Sequence, residues 1–145
     1  MKVELNKETQ LIISIAKTLG STGVVVQNSL FQKFNLNYVY KPFSFSELNF
    51  KKIFDAVKVL NLKGCAISMP FKNTCIKECE IIDEYAKLTQ SANTIINESG
   101  VYKGYNTDVY GAKKAIEQSG KVIKSAIVYG TGSVAKSCKD NRQEY

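Results

Sequence analysis

The sequence contains no histidine. That absence removes the Ser-His-Asp and Cys-His nucleophilic mechanisms and every histidine metal site. Arginine is almost missing: Arg142 stands alone against nineteen lysines in 145 residues. No C-x-x-C pair occurs among the cysteines Cys65, Cys75, Cys79 and Cys138. Cys75 and Cys79 are four apart, which would place them on one face of a helix, but two thiols alone do not make a zinc site. Four such cysteines read as free thiols of a reducing compartment. Met1 to Gln10 is polar and charged and carries neither a secretory nor a transmembrane pattern. A cytoplasmic location and no membrane partner are therefore expected. Internal repeats and low-complexity segments are absent too.

What is present suits a packed domain. Hydrophobic residues make up 44% of the chain, enough for a core, and the net charge is +7. The lysines are scattered, with Lys51-Lys52 and Lys113-Lys114 the only adjacent pairs. Without a basic run or an interleaved aromatic stripe, this reads as a solvated surface and not as a nucleic-acid interface. Positive potential would also favour an anionic small-molecule ligand.

Apolar runs and turn signals alternate along the chain. Leu11 to Ile15 suits a buried strand, and Val24 to Phe34 shows helical spacing through Val26, Leu30, Phe31 and Phe34. Asn37 to Phe43 reads as a strand. Ser46 can cap a helix over Glu47 to Asn61, with Phe50, Ile53, Phe54, Val57 and Leu60 as its buried stripe. Cys65 to Met69 is the next strand, stopped by Pro70. Helices are expected over about Asn73 to Ile82 and near Asp83 to Leu88. Ala92 to Ile96 and Val101 to Tyr105 form a hairpin across Glu98-Ser99-Gly100. Asp108 to Gln118 is helical, and Ser125 to Tyr129 is a strand leading into a glycine turn and a further helix. This order predicts an α/β fold: a mainly parallel twisted sheet with helices on both faces, followed by the start of a Rossmann-type domain. The expected boundary lies near Asn106, giving 1–106 and 107–145.

Several segments carry candidate chemistry. Gly130-Thr131-Gly132-Ser133-Val134-Ala135 is G-x-G-x-x-A between an apolar strand and a helix start, the context of a dinucleotide turn. Gly130 permits the turn, Gly132 lets backbone approach a pyrophosphate, and Ala135 lets helix and strand pack. The N–H groups at Ser133 would face the anion. Gly64-Cys65-Ala66-Ile67-Ser68-Met69-Pro70-Phe71-Lys72 sets Ser68 and Lys72 at a strand's C-terminal tip, where ligands sit in open α/β sheets. Ser91-Ala92-Asn93-Thr94 and Gly104-Tyr105-Asn106-Thr107-Asp108 put Asn93 and Asp108 at element ends. Thr107 and Asp108 also suit a helix N-terminus.

The ordered set M-P-F-K, S-A-N-T, G-Y-N-T-D and G-T-G-S-V-A resembles the shikimate dehydrogenases over roughly residues 10 to 137, and most of all their shikimate dehydrogenase-like subgroup. The resemblance implies an oxidoreductase interconverting shikimate and 3-dehydroshikimate, a step of chorismate and aromatic amino-acid biosynthesis. It implies NADP as cofactor, with NAD open because the selecting loop is not in this chain. It assigns Lys72 and its partner Asp108 to proton transfer. Ser21, Ser68 and Asn93 fall on substrate-binding positions, and Gly130, Gly132, Ser133 and Ala135 on the cofactor turn. Partners are then a small acid such as shikimate, in a monomer or homodimer.

The sequence departs from that pattern in places. Gly23 stands where the family has the second serine of its S-x-S-P segment, Val24 where it has the proline, Gln27 where it has histidine, and Ala66 where it has asparagine. A serine restored at Gly23 is expected to tighten substrate binding. The cofactor strands and the arginine-bearing loop that follow the glycine turn in the family are not in this chain. By itself the chain is expected to bind substrate better than cofactor and to turn over little. Three alternatives stay open: a weakly active paralogue, an enzyme acting on quinate or a related polyol acid, and a non-catalytic small-acid-binding protein.

Overall fold

A computed structural model describes residues 5–46, 50–122 and 124–140. Its elements are β1 (Gln10–Ala16), α1 (Thr22–Lys33), β2 (Tyr38–Ser44), α2 (Phe50–Val59), β3 (Gly64–Ile67), a 3₁₀ turn (Cys75–Glu78), β4 (Ile81–Ile82), α3 (Glu84–Thr89), β5 (Thr94–Glu98), β6 (Val101–Tyr105), α4 (Thr107–Gln118) and α5 (Ser133–Asp140). The strands form one sheet in the order β2-β1-β3-β5-β6-β4. β1 pairs in parallel with β2 and β3, and β4 with β6. The β5–β6 hairpin is antiparallel, as is its junction with β3. The α/β architecture is the expected one, in a sheet that is mixed because the hairpin inserts at its centre.

Period-two alternation sorts the faces. Ile13 and Ile15 of β1 join Cys65, Ile67, Ile95 and Tyr102 in one core, covered by Phe50, Phe54 and Val57 of α2 and by Ala86 of α3. Phe50 stacks on Phe71 at 5.2 Å, and Phe54 meets Tyr102 edge-on at 5.6 Å. The opposite face carries α1 beside β2. Asn28 is buried there: its amide donates to the Tyr40 carbonyl, and its Oδ1 accepts from the Tyr40 N–H. The apolar stripe expected for α1 is mostly exposed at Val26, Leu30 and Phe34, so a polar clip joins this helix to the sheet.

Other expectations are corrected. No continuous helix spans 73–82. The chain makes the 3₁₀ turn and then β4, because Ile81 and Ile82 gain backbone partners on β6. α2 ends at Val59, so Leu60 is 66% exposed and Leu62 takes the core position. The expected Glu47–Asn49 start of that helix lies outside the described residues. Ser125–Tyr129 is not a strand: it has no ladder partner among the described residues, and Ile127 and Tyr129 are 99% and 102% exposed. An apolar strand needs neighbours for its N–H and C=O groups and for its side chains.

Among the glycines, Gly64 makes the tightest approach. A Cβ there would stand 2.6 Å from the Ile95 carbonyl oxygen across the β3–β5 ladder. Gly64→Ala is therefore expected to cost about 1–3 kcal/mol of stability. Urea unfolding checks it, as a lower midpoint at unchanged slope; an unmoved midpoint would show that the strands part freely.

Candidate active site

The turn after β3 carries the first site residue. Ser68 N–H donates to the Ile15 carbonyl and Phe71 N–H to the Ser68 carbonyl, closing the chain over the tip of the strand. Phe71 goes into the core, which leaves Lys72 facing away from it. The Ala92 N–H fixes the Lys72 carbonyl at 2.8 Å. Lys72 Nζ reaches Asp108 Oδ2 at 2.6 Å, with the two side chains 14% and 28% exposed.

Asp108 sits in the first turn of α4, where the helix dipole favours a carboxylate. Its other oxygen, Oδ1, accepts from Asn93 Nδ2 at 2.8 Å. Asn93 is held in turn by Thr107, whose N–H donates to Asn93 Oδ1 at 3.0 Å. That bond makes Oδ1 the acceptor and aims the Asn93 amide N–H groups at Asp108 and Thr107. Three segments far apart in sequence thus converge on a lysine–carboxylate–amide cluster. A pair this desolvated adds little net stability, because the Coulombic gain offsets the loss of hydration. Its arrangement suits proton transfer at an oxygen placed beside Lys72.

Ser68 lines the neighbouring cavity, of about 230 Å³, with Ser14, Thr18, Gly20, Gly23 and Tyr40. Tyr40 is 7% exposed, and its hydroxyl lies 3.2 Å from where a Cβ on Gly23 would stand. Among the described residues no hydrogen bond to that hydroxyl is formed. Ser21 occupies the N-cap position of α1, but its hydroxyl makes no capping bond, its side chain is exposed and it does not line this cavity.

In the glycine turn, Gly130 has φ +120°, a conformation other residues rarely adopt. Its missing Cβ faces Ala135 Cβ at 3.9 Å, and the missing Cβ of Gly132 faces open space. α5 begins at Ser133 and packs against α4 and α3.

Three thiols in or against the core are poor nucleophiles. Burial pushes Cys65 well above the usual thiol range. Burial first, then the neighbouring Cys79, raises Cys75 to about 12, while burial and then Glu80 raise Cys79 to about 11. Cys75 donates to the carbonyls of Lys72 and Ala92, a structural role.

Sequence reasoning missed the parts played by Tyr40, Thr107 and Asn106. The N-cap preference for asparagine could have singled out Asn106, which caps α4 through Oδ1. Nothing local could have found Tyr40, because its meaning lies in its distance from Gly23.

The fold and the cluster define an α/β protein with a lysine–aspartate pair beside the C-terminal tip of β3. Residues 16–95 match the shikimate dehydrogenase substrate binding domain, and the chain belongs to that family. It is 37% identical over 135 residues to a shikimate dehydrogenase-like protein of Haemophilus influenzae, covering 92% of this chain and 49% of that protein. It is 34% identical over 145 residues to the shikimate dehydrogenase (NADP(+)) of Methanocaldococcus jannaschii, covering 94% and 51%. A crystal structure of a shikimate dehydrogenase in complex with NADP+ superposes with a TM-score of 0.88 at 31% identity, over 95% of this chain and 49% of that one. The Listeria monocytogenes enzyme, in complex with shikimate and NAD, gives 0.84 at 29% identity, over 94% and 48%. The chain spans about half the length of the relatives it matches. No helix among the described residues is long and apolar enough to cross a membrane.

Proposed function

We propose that this chain is the substrate-handling half of an NADP-dependent oxidoreductase that interconverts shikimate and 3-dehydroshikimate, with residues 1–106 as its substrate domain and 107–145 as the linker helix and the opening of its cofactor domain. The observation that carries the reading is the Lys72–Asp108–Asn93 cluster, assembled from the three segments that resemble the family. Oxidising a secondary alcohol removes a hydride from carbon and a proton from oxygen. Lys72, as the amine, accepts the hydroxyl proton; in reduction its ammonium returns a proton to the forming alkoxide. Asp108 orients Lys72 and balances the ammonium charge that forms as the proton arrives. Asn93 holds Asp108 through one amide N–H, and a neighbouring hydroxyl of the substrate would take the other in place of the Thr107 hydroxyl. Ser68 supplies a further hydroxyl from the adjoining cavity.

The Gly130–Ala135 turn fits a dinucleotide pyrophosphate. The backbone at Gly130 is turned as only glycine readily allows, Gly132 leaves open space, and the N-terminus of α5 follows. Gly130, Gly132, Ser133 and Ala135 would hold that group, NADP or NAD. When bound, the nicotinamide supplies hydride acceptance and donation.

The test is NADP+ reduction by the full-length protein with shikimate and with quinate, alongside shikimate calorimetry on the 145-residue chain. Turnover of shikimate supports the reading. Loss of both binding and turnover overturns it.

Gly23 favours keeping quinate or a related polyol acid as the second reading. The expected benefit of Gly23→Ser requires Tyr40 to give by a few tenths of an ångström, because a Cβ would stand 3.2 Å from its hydroxyl. Tyr40 already offers a hydroxyl there. Gly23→Ser is therefore expected to leave acid binding unchanged or weaker, and Tyr40→Phe to weaken it by about tenfold or more, the worth of one hydrogen bond to a charged group. Calorimetry decides; tighter binding by Gly23→Ser would show that the phenol yields.

A further inference from the structure

We infer that Asn106 is a positioning residue for the Lys72–Asp108 pair, acting through a buried post formed by Thr89 and Ser91. The inference rests on the reading of that pair as proton-transfer machinery. Asn106 is 2% exposed, and Thr89 and Ser91 are fully buried. Its Oδ1 accepts from the Asp108 N–H at 3.0 Å. Its Nδ2 donates to Thr89 Oγ1 at 2.7 Å and to Ser91 Oγ at 3.1 Å.

The protons in this cluster have little freedom. Asn106 Oδ1 must face Asp108 N–H, so its NH₂ must face the two hydroxyls. Thr89 lies 2.7 Å from the Tyr85 carbonyl and 3.3 Å from the Ser91 carbonyl, and both can only accept. Its proton is committed to a carbonyl, so its oxygen accepts from Asn106 and from Ser91 Oγ at 3.1 Å. Capping a helix needs only an acceptor, which serine or aspartate also supplies. An amide whose donors are buried between two hydroxyls also fixes how the first turn of α4 is rolled, and that roll sets where the Asp108 carboxylate stands.

The same short turn holds Lys72. Thr89 ends α3, and Ser91, Ala92 and Asn93 lie between it and β5. Ala92 N–H holds the Lys72 carbonyl, and Asn93 holds the second oxygen of Asp108. Both members of the pair thus hang from one segment. Asp83 closes the frame: its Oδ1 accepts from Ala86 N–H at the start of α3 and from the Asn106 N–H.

Two kinds of variant separate positioning from folding. Asn106→Ser keeps an acceptor near Asp108 N–H but cannot reach both hydroxyls. Thr89→Val leaves the cap intact and removes the post, and Thr89→Ser restores it. The first readout is the ammonium nitrogen signal of Lys72 in the ¹⁵N-lysine-labelled chain, assigned by its loss in Lys72→Met. It requires no turnover, so it stands apart from the proposed reaction. In Asn106→Ser and Thr89→Val this signal is expected to shift and broaden toward those of exposed lysines, and in Thr89→Ser to match the parent. The second readout, in the full-length protein, is a kcat lower by about tenfold or more with KM within about threefold, the pattern of a misplaced proton-transfer group. An unchanged Lys72 signal in both disruptive variants overturns the inference, even where the melting temperature falls. Should Asn106→Ser fail to fold, Thr89→Val and its serine rescue decide alone. Absence of shikimate turnover in the parent would overturn the proposed reaction and leave the Lys72 signal to judge the geometry.

Discussion

Lys72→Met in the full-length protein is expected to lower kcat for shikimate oxidation by about 100-fold or more, with KM within a few-fold. Methionine keeps the unbranched stem out to Cε and removes the group that exchanges the proton. The substrate would still meet Ser68 and Asn93, which is why binding is expected to survive. Asp108 loses its cation but keeps the Asn93 amide and, at 28% exposure, access to water, so the fold should persist. Steady-state kinetics on variant and parent, with circular dichroism to confirm folding, make the comparison. Equal kcat would remove Lys72 from the mechanism.

Phe71→Ala is expected to cost about 3–5 kcal/mol, the range for emptying a buried aromatic site. Phe71 is 1% exposed and stacks on Phe50, which stacks on Phe54. Such a loss approaches the whole stability of a small domain. Phe71→Leu should lose less, because it refills part of the volume. The residue also ties stability to the site: its burial is what turns the next residue, Lys72, out of the core. A urea midpoint for Phe71→Ala equal to that of the parent would show that the ring is not anchored as described.

Much of this was legible in the sequence for local reasons. The apolar run from Cys65 to Met69, the stop at Pro70 and the polar Lys72 beyond it place a reactive side chain at a strand tip. Asn93 precedes a β strand and Asp108 opens a helix, positions that follow from turn and capping preferences. Their mutual contact did not follow from any of these rules. It was expected only from the resemblance of the ordered segments to a known family.

Where the readings went astray, a distant partner decided. Residues 73–82 have helical spacing, yet Ile81 and Ile82 pair with β6, because a ladder over there satisfies their backbone groups. Leu60 fits the stripe of α2, but the helix ends one residue before it, Asn61 turns left-handed and Leu62 takes the core place. Ser125–Tyr129 has the composition of a strand and no neighbour to pair with among the described residues.

The sequence by itself determined the alternation of strands and helices, the order of the motif segments, the chemistry available at Lys72, Asn93 and Asp108, and the glycine turn at Gly130. Each depends on residues within a few positions of one another, where periodicity, capping and backbone freedom act. Only the tertiary structure decided that the Tyr40 hydroxyl stands close to where a side chain on Gly23 would begin, that Asn106 leans on Thr89 and Ser91, and that one turn holds both Lys72 and Asp108. Those are contacts between residues 15 to 36 positions apart, closed by packing at a few ångströms, and no local pattern carries a distance of that kind.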